Sequence, residues 1–543
     1  MMRKLFVFCF VFLFASCTKM LETAPYSFGT VENLYKSAQD AELGLTGCYN
    51  ILNTEQVQSV SGQQAGATFN KYMHVMMDMG FDELIPNPAN GLRVDYGPFA
   101  LHTVTQQHEV IRNNFFLWFA GVNRTNYLLD GVGNIDMSEA RKKEILGEGH
   151  FLRGVFYTYL AMLYGGVPVY DMPNHDPNAP RQSLQEVYNL VISDFKYAYE
   201  NLPDRAGILG RANKWSAASY LAKVYTYLAS CKQNSVGAGL NFPLNSFDWV
   251  NAQEMYAQAL QVTQDIISNS GYKLLDNYNY LFYESTDAYR DQECPFVVMS
   301  SSSPTNGNHT YWGEFLVPAG NRNTNGGGRA IFRPVAEMLS LYSNSDFRKG
   351  WNLVYQLRDI DPTEVIDGVT YKVPRLAITA NSGLVCCGKF RYMIPSEKMI
   401  DNTRSIGSTP IIRFADILLL NAEALYYTGN EPEARNVLYK IRKRAAQNDD
   451  AVATTLTSTY HRDDFLKELL EERSRELCFE AWRRIDLIRF GKVEEALNAI
   501  NPNVGAYNKM ITEIRTNWSQ HRIWFPIPQS EIDLNKIEQN PGY

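Results

Sequence analysis

Residues 413–446 read RFADILLLNAEALYYTGNEPEARNVLYKIRKRAA, two helical stretches separated by a stop and a start. Gly429 ends the first, because a helix closes most readily on a residue free to take positive φ. Pro432 opens the second, where its missing N–H leaves no hydrogen bond unmade. Ala422, Ala424 and Ala434 place small side chains where two helices can approach closely. One such hairpin cannot bury its apolar face alone and needs further units stacked against it.

The remaining sequence supplies those units. Residues 144–164 (EILGEGHFLRGVFYTYLAMLY) form the most strongly patterned helix of the first half, with Gly149, Gly154 and Ala161 alternating with Phe151, Phe156, Tyr159 and Leu163. Gly165, Gly166 and Pro168 end it. Ser183 with Glu186 three residues later is a capping box that starts the next helix. Residues 215–230 and 249–270 form a further pair, and 34–54 and 115–129 also carry helical spacing. The strict tetratricopeptide signature is absent. The pattern predicts a mainly α protein built on a tetratricopeptide-like frame of helical hairpins, an α-α superhelix.

Residues 471–491 (EERSRELCFEAWRRIDLIRFG) are the most densely charged stretch. Leu470, Ser474, Leu477, Ala481, Ile485 and Ile488 lie three or four residues apart and predict one amphipathic helix stopped by Gly491. Glu471 with Arg475, Glu480 with Arg484, and Asp486 with Arg489 are spaced for surface pairs worth about 0.2–0.5 kcal/mol each. The expectation is a structural brace.

Between residues 59–98 and again between 272 and 410 the periodicity fails, and Gly, Asn, Pro and Asp dominate. Residues 295–300 (PFVVMS) read as a short strand, so the irregular part is expected to carry a few strands. The closing IWFPIPQSEIDLNKIEQNPGY is expected to lie extended, because Pro526, Pro528 and Pro541 preclude a long helix, with a turn from Ser530.

With 51 Lys plus Arg against 58 Asp plus Glu, the net charge of −7 and the lack of a basic block argue against a nucleic-acid partner. At the N-terminus, Arg3 and Lys4 precede a short apolar run ending Phe14-Ala15-Ser16-Cys17. This is a signal peptide over residues 1–16, and the small residues before Cys17 are similar to a bacterial lipobox, in which that cysteine is lipidated. Six cysteines remain, without CxxC or His-spaced patterning, so neither a metal site nor a cofactor is expected. Cys478 reads as a small buried hydrophobe, while Cys386 and Cys387 are candidates for oxidation.

Several segments together resemble one family, the SusD/RagB outer-membrane lipoproteins of Bacteroidetes. They are the lipobox at Cys17; Gly149-His150-Phe151-Leu152-Arg153 leading to Gly165-Gly166-Val167-Pro168; the 413–446 hairpin; the 473–491 run; and the terminal PIPQSEI and QNPGY. Gly149 and Gly154 stand where the family usually has alanine. The resemblance implies one compact unit, with an N-terminal helical region over 17–270 and a C-terminal region over 271–543. It also implies a lipid-anchored protein of the outer membrane, facing the cell exterior, that binds oligosaccharides without being an enzyme and hands them to a SusC-like TonB-dependent β-barrel. A tetratricopeptide-type protein-binding scaffold and a surface glycosidase are the alternatives; the second needs two carboxylates about 5–10 Å apart across a cleft.

Sugar recognition combines flat aromatic faces with planar polar groups. Two irregular stretches offer both. One contains Asp82, Asn90, Arg93 and Tyr96; the other contains Tyr311, Trp312, Asn321 and Arg322. These are the expected glycan-binding residues, with Trp312 foremost, and Tyr280 and Tyr283 are weaker candidates. Trp118, Trp215 and Trp482 sit in helical patterns and read as core.

Overall fold

Helix boundaries follow capping chemistry in the computed structural model, which describes residues 35–54, 57–58, 64–65, 68–87, 90–283, 286–300, 309–317, 327–354, 357–376, 385–391, 403–405, 407–503 and 508–543. Cys17, Asn321 and Arg322 lie outside these residues. Among the described residues, the first half is framed by the longer helices α1 Ala38–Tyr49, α2 Glu109–Val132, α3 Glu139–Tyr164, α4 Leu184–Asn201, α5 Lys214–Gln233 and α6 Ala252–Asn269. The Ser183 backbone N–H donates to the Glu186 carboxylate at 2.8 Å, and the Glu186 N–H returns to Ser183 Oγ at 3.3 Å. The predicted capping box therefore starts α4.

Each helix from α2 to α6 packs on the next. The small residues of α3 serve two neighbours. A methyl group at Gly149 would lie 2.8 Å from Leu129 of α2, and one at Gly154 would lie 2.8 Å from Phe195 of α4. Alanine at either site would require the Leu129 or Phe195 side chain to shift.

Helices α7 Phe414–Tyr427 and α8 Glu431–Ala445 form the predicted hairpin, with Gly429 at φ 90°. Helix α7 packs against α6, so the array continues across the 144 residues between them as though they were an insertion. After it come α9 Asp450–Tyr460, α10 Phe465–Leu477, α11 Arg483–Arg489, α12 Val493–Ala499, α13 Asn508–Asn517 and α14 Gln529–Asn535. One hydrophobic core runs through both halves, from Ala41 to Ile537. Trp118, Trp215 and Trp482 belong to it, as the sequence pattern predicts. The tail is extended before a short helix and ends pinned to the frame, where Asn540 Nδ2 donates to Tyr164 O at 2.9 Å and Arg181 donates to Asn540 Oδ1 at 2.7 Å.

The strands of the described residues pair two by two and antiparallel. They are β1 Val57–Gln58 with β2 Gln64–Ala65; β3 Leu84–Pro86 with β5 Phe332–Pro334; β4 Phe296–Val298 with β10 Thr409–Ile412; β6 Leu353–Val354 with β9 Cys386–Cys387; and β7 Leu357–Ile366 with β8 Val369–Leu376. The β4 strand is the one expected within residues 295–300. The β7–β8 hairpin was not expected, although Asp367-Gly368 (φ 51° and 80°) between alternating Val, Ile and Tyr is a strong hairpin signal. Tyr283 donates to Glu364 of β7 at 3.1 Å, so this weaker site candidate holds the hairpin. All six cysteines among the described residues are buried, Cys386 and Cys387 included.

The 471–491 stretch departs from the predicted single helix. It breaks at Cys478–Trp482, where Phe479 and Ala481 take φ 65° and 62°. Left-handed backbone at non-glycine residues costs of order 1–3 kcal/mol and needs outside support. Asp78 supplies it, accepting from the Ala481 N–H at 2.7 Å and the Arg483 N–H at 3.2 Å. Lys389 donates to Glu476 O and Cys478 O at 2.8 and 2.9 Å.

Apart from part-exposed Glu471, the charges paired within this stretch are buried, not on a solvent face. Glu476 is fully buried, and its carboxylate meets Arg348 at 3.0 Å, Arg413 at 2.9 Å and Arg444. Glu472 takes Arg348, Arg442 and Arg475 at 2.8–3.0 Å. Asp486–Arg489 (3.0 Å) and Glu471–Arg475 (3.7 Å) pair as spaced. Glu480 and Arg484 do not pair: Glu480 binds Arg413 and Lys389, while Arg484 donates to Arg522 O and Ile523 O. The brace is real, but it joins α10 to α7, α8 and residues 346–348 through the interior.

Burial alone would raise the Glu476 carboxyl, yet Arg444, Arg413 and Arg348 outweigh it and hold it down at about 2, from an ordinary 4.5. Glu472 is likewise depressed by Arg475, Arg348 and Arg442 against the effect of burial. Carboxyls depressed in the folded state add stability that is present above their unfolded value and is lost as pH falls toward the folded one. We expect Tm to be flat near neutrality and to fall steeply from about pH 4.5 toward pH 2. Calorimetric scans across that range check it; an unchanged Tm at pH 3 would rule out these carboxylates as a major source of stability.

Candidate functional site

Residues 87–96 and 309–317 are brought side by side by the β3–β5 pair. Asn87 continues the β3 alignment, its N–H donating to Ile331 O at 2.8 Å, and Asn90 Nδ2 reaches Ala330 O at 3.3 Å. From the other side, the Tyr311 N–H donates to Asn70 O at 3.0 Å, and Thr310 bridges to Ser405. A single helical turn, Trp312–Phe315, follows.

The two stretches are locked by a buried carboxylate. Glu314, 4% exposed, meets Arg93 Nη1 at 2.7 Å through one oxygen and Lys71 Nζ at 3.2 Å through the other. Burial would raise its carboxyl, but Lys71 and then Arg93 offset this and hold it below the usual carboxylate range. The far side of the Arg93 guanidinium is gripped by Asp95, at 3.1 Å to Nε and 2.7 Å to Nη2. Tyr72 donates to the same Asp95 at 3.2 Å. Lys71 also lies 4.7 Å from the centre of the Tyr311 ring. The outcome is a fixed polar strip with alternating charge, in which Tyr311 and Arg93 are part-exposed and Asn90 is exposed.

Four of the expected residues thus sit together with Trp312, but two of the five present no face to solvent. Tyr96 is 0% exposed: its hydroxyl donates to Gly91 O at 2.8 Å and its ring meets Phe332 edge-on at 5.4 Å. Trp312 is 3% exposed and packs on Phe390, ring centres 4.7 Å apart. Both anchor the strip from beneath. The expectation of Trp312 as the leading stacking face is corrected by this burial: on a one-turn helix, its neighbour Tyr311 takes the outward position.

Asp82 is elsewhere. It forms a two-pronged pair with Arg483 at 2.6 and 2.8 Å. That pair lies in a groove of about 560 Å³ whose walls include Leu341, Leu470, Leu487 and Phe490. Lys71, Asp95 and Glu314 were missed as members of the strip. Their only signal was the presence of charge inside stretches without helical period, because the pairing crosses more than 200 residues.

A family model described as the SusD family matches residues 293–543, and a second, described as starch-binding associating with outer membrane, matches residues 50–226. SusD-like protein P25 of Formosa agariphila is 24% identical, over 98% of this chain and 97% of its own. A SusD homolog from Bacteroides thetaiotaomicron has the same fold at TM-score 0.73 and 20% identity, covering 94% of this chain and 98% of that one. Surface glycan-binding protein A from Bacteroides thetaiotaomicron, solved with laminarihexaose, matches at TM-score 0.69 and 19% identity, over 93% of this chain and all of the other.

Proposed function

Because this chain belongs to the SusD family, we propose that it captures oligosaccharides at the cell surface and delivers them to a SusC-like TonB-dependent β-barrel. In this reading, lipidated Cys17 anchors it to the outer membrane, facing the exterior. The observation that carries the reading is the strip itself. A part-exposed aromatic ring, Tyr311, lies over Lys71 in a strip whose Arg93 guanidinium is held by Glu314 and Asp95. A sugar presents its C–H face to such a ring and its hydroxyls to such planar groups. The glycan complex of one structural relative supports the ligand class.

The strip has the wrong chemistry for a glycosidase. A general acid must stay protonated near neutral pH, whereas Glu314 is held ionised by Lys71 and Arg93, and Asp95 is engaged by Arg93 and Tyr72. The 560 Å³ groove around Asp82 has Phe490 as its sole aromatic lining residue, so it offers less stacking area.

Tyr311→Ala is expected to weaken binding by roughly five- to thirty-fold, the equivalent of about 1–2 kcal/mol, with Tm unchanged. Titration calorimetry against laminarihexaose and a polysaccharide panel measures it. A wild-type protein that binds none of them, or a variant that binds as tightly as wild type, would refute the strip as the glycan site.

A further inference from the structure

Most buried arginines here have a carboxylate partner; Arg484 has none among the described residues. Its side chain is 2% exposed. One guanidinium nitrogen, Nη2, donates to Arg522 O at 2.6 Å and Ile523 O at 3.1 Å. The other, Nη1, is buried with no hydrogen-bond partner among the described residues. The ring of Phe525 lies 4.2 Å from the guanidinium carbon. Arg522 stands nearby and, among the described residues, also pairs with no carboxylate; its Nε donates to Asn517 O at 2.9 Å.

Both arginines line a cavity of about 20 Å³ between α11, residues 75–104 and the C-terminal segment. His102, Tyr543 and the rings of Phe81, Phe99 and Phe525 are among its other walls, and among the described residues no Asp or Glu side chain lines it. The Tyr543 hydroxyl is engaged, donating to Trp524 O at 3.0 Å. His102 meets Gly80 O at 2.9 Å through Nε2; burial, and then the charge of Arg484, lower it to about 3, so it stays neutral.

A buried charge without a counter-charge, and a buried N–H without an acceptor, each carry a penalty of kcal/mol size. A cavity of this size holds one water-sized guest. Water would satisfy the N–H but leave the buried Arg484 charge without a counter-ion, with part-exposed Arg522 adding positive charge beside it. A monatomic anion answers both demands. Sulfate and phosphate are too large.

We propose that this cavity is a site for a small monovalent anion of chloride or bromide size, held by Arg484 with Arg522 beside it. The site is distinct from the Tyr311 strip. Its occupant would tie α11 to the C-terminal segment, whose residues 522–543 otherwise hold to the frame by hydrogen bonds and packing.

Bromide provides the direct test. Crystals of the wild-type protein in sodium bromide, measured at the bromine absorption edge, should show an anomalous peak in the cavity within contact of Arg484 Nη1. In solution, replacing chloride by gluconate at equal ionic strength should lower the wild-type Tm by roughly 1–3 °C, and Arg484→Lys should lose that dependence. Electron density for water without an anomalous peak, or a wild-type Tm identical in the two salts, would overturn the proposal. Because both wild-type readings are independent of the variant, failure of Arg484→Lys to fold would leave the proposal testable.

Discussion

Glu476→Ala is expected to destabilise the protein by about 3–5 kcal/mol. Glu476 is fully buried, and three arginines converge on it: Arg348, Arg413 and Arg444. Removing the carboxylate leaves guanidinium charge in the interior that water cannot reach. Much of the loss comes from these stranded partners, more than from the intrinsic worth of the pairs. The loss is softened because each partner keeps another carboxylate: Arg413 keeps Glu480 and Glu293, Arg348 keeps Asp346 and Glu472, and Arg444 keeps Glu293. Glu471→Ala is the control, since that residue is part-exposed and faces Arg462 at 2.9 Å, and it should cost less than about 1 kcal/mol. Denaturant titration of both variants decides the matter. Equal destabilisation would mean that the network contributes no more than a surface pair does.

Trp312→Ala is expected to cost a similar amount, about 3–5 kcal/mol, because it removes a buried indole packed on Phe390 and leaves a cavity. From sequence, the same substitution was expected to weaken glycan binding while leaving the fold intact. The burial of the ring reverses the emphasis. Affinity should fall only as the turn carrying Tyr311 loosens. Trp312→Phe should be mild, near 1 kcal/mol, since the indole N–H has no hydrogen-bond partner among the described residues. Thermal melts and glycan titration on the two variants separate the possibilities. An alanine variant with wild-type Tm and lost affinity would restore Trp312 as a ligand-facing ring.

The helical frame was legible because its signals are local. The Ser183–Glu186 capping box, Gly429 with Pro432, and the small residues of α3 all act within a few turns of chain, and each appears in the structure where the sequence puts it. The candidate site was legible as two stretches but not as an arrangement. Arg93 and Glu314 are 221 residues apart in sequence, and nothing local says that one will neutralise the other.

The 471–491 stretch shows where the division falls. Sequence alone determined that it is a charged, apolar-striped brace ending at Gly491, because helical spacing and a glycine stop are properties of adjacent residues. Only the tertiary structure decided that it breaks at Cys478–Trp482, that its charges face inward, and that Glu480 abandons Arg484 for Arg413. The physical reason is that a buried charge takes whichever partner best repays its desolvation, and that partner is chosen by packing across the whole chain. The same rule leaves Arg484 with carbonyl oxygens and an apolar cavity in place of a carboxylate.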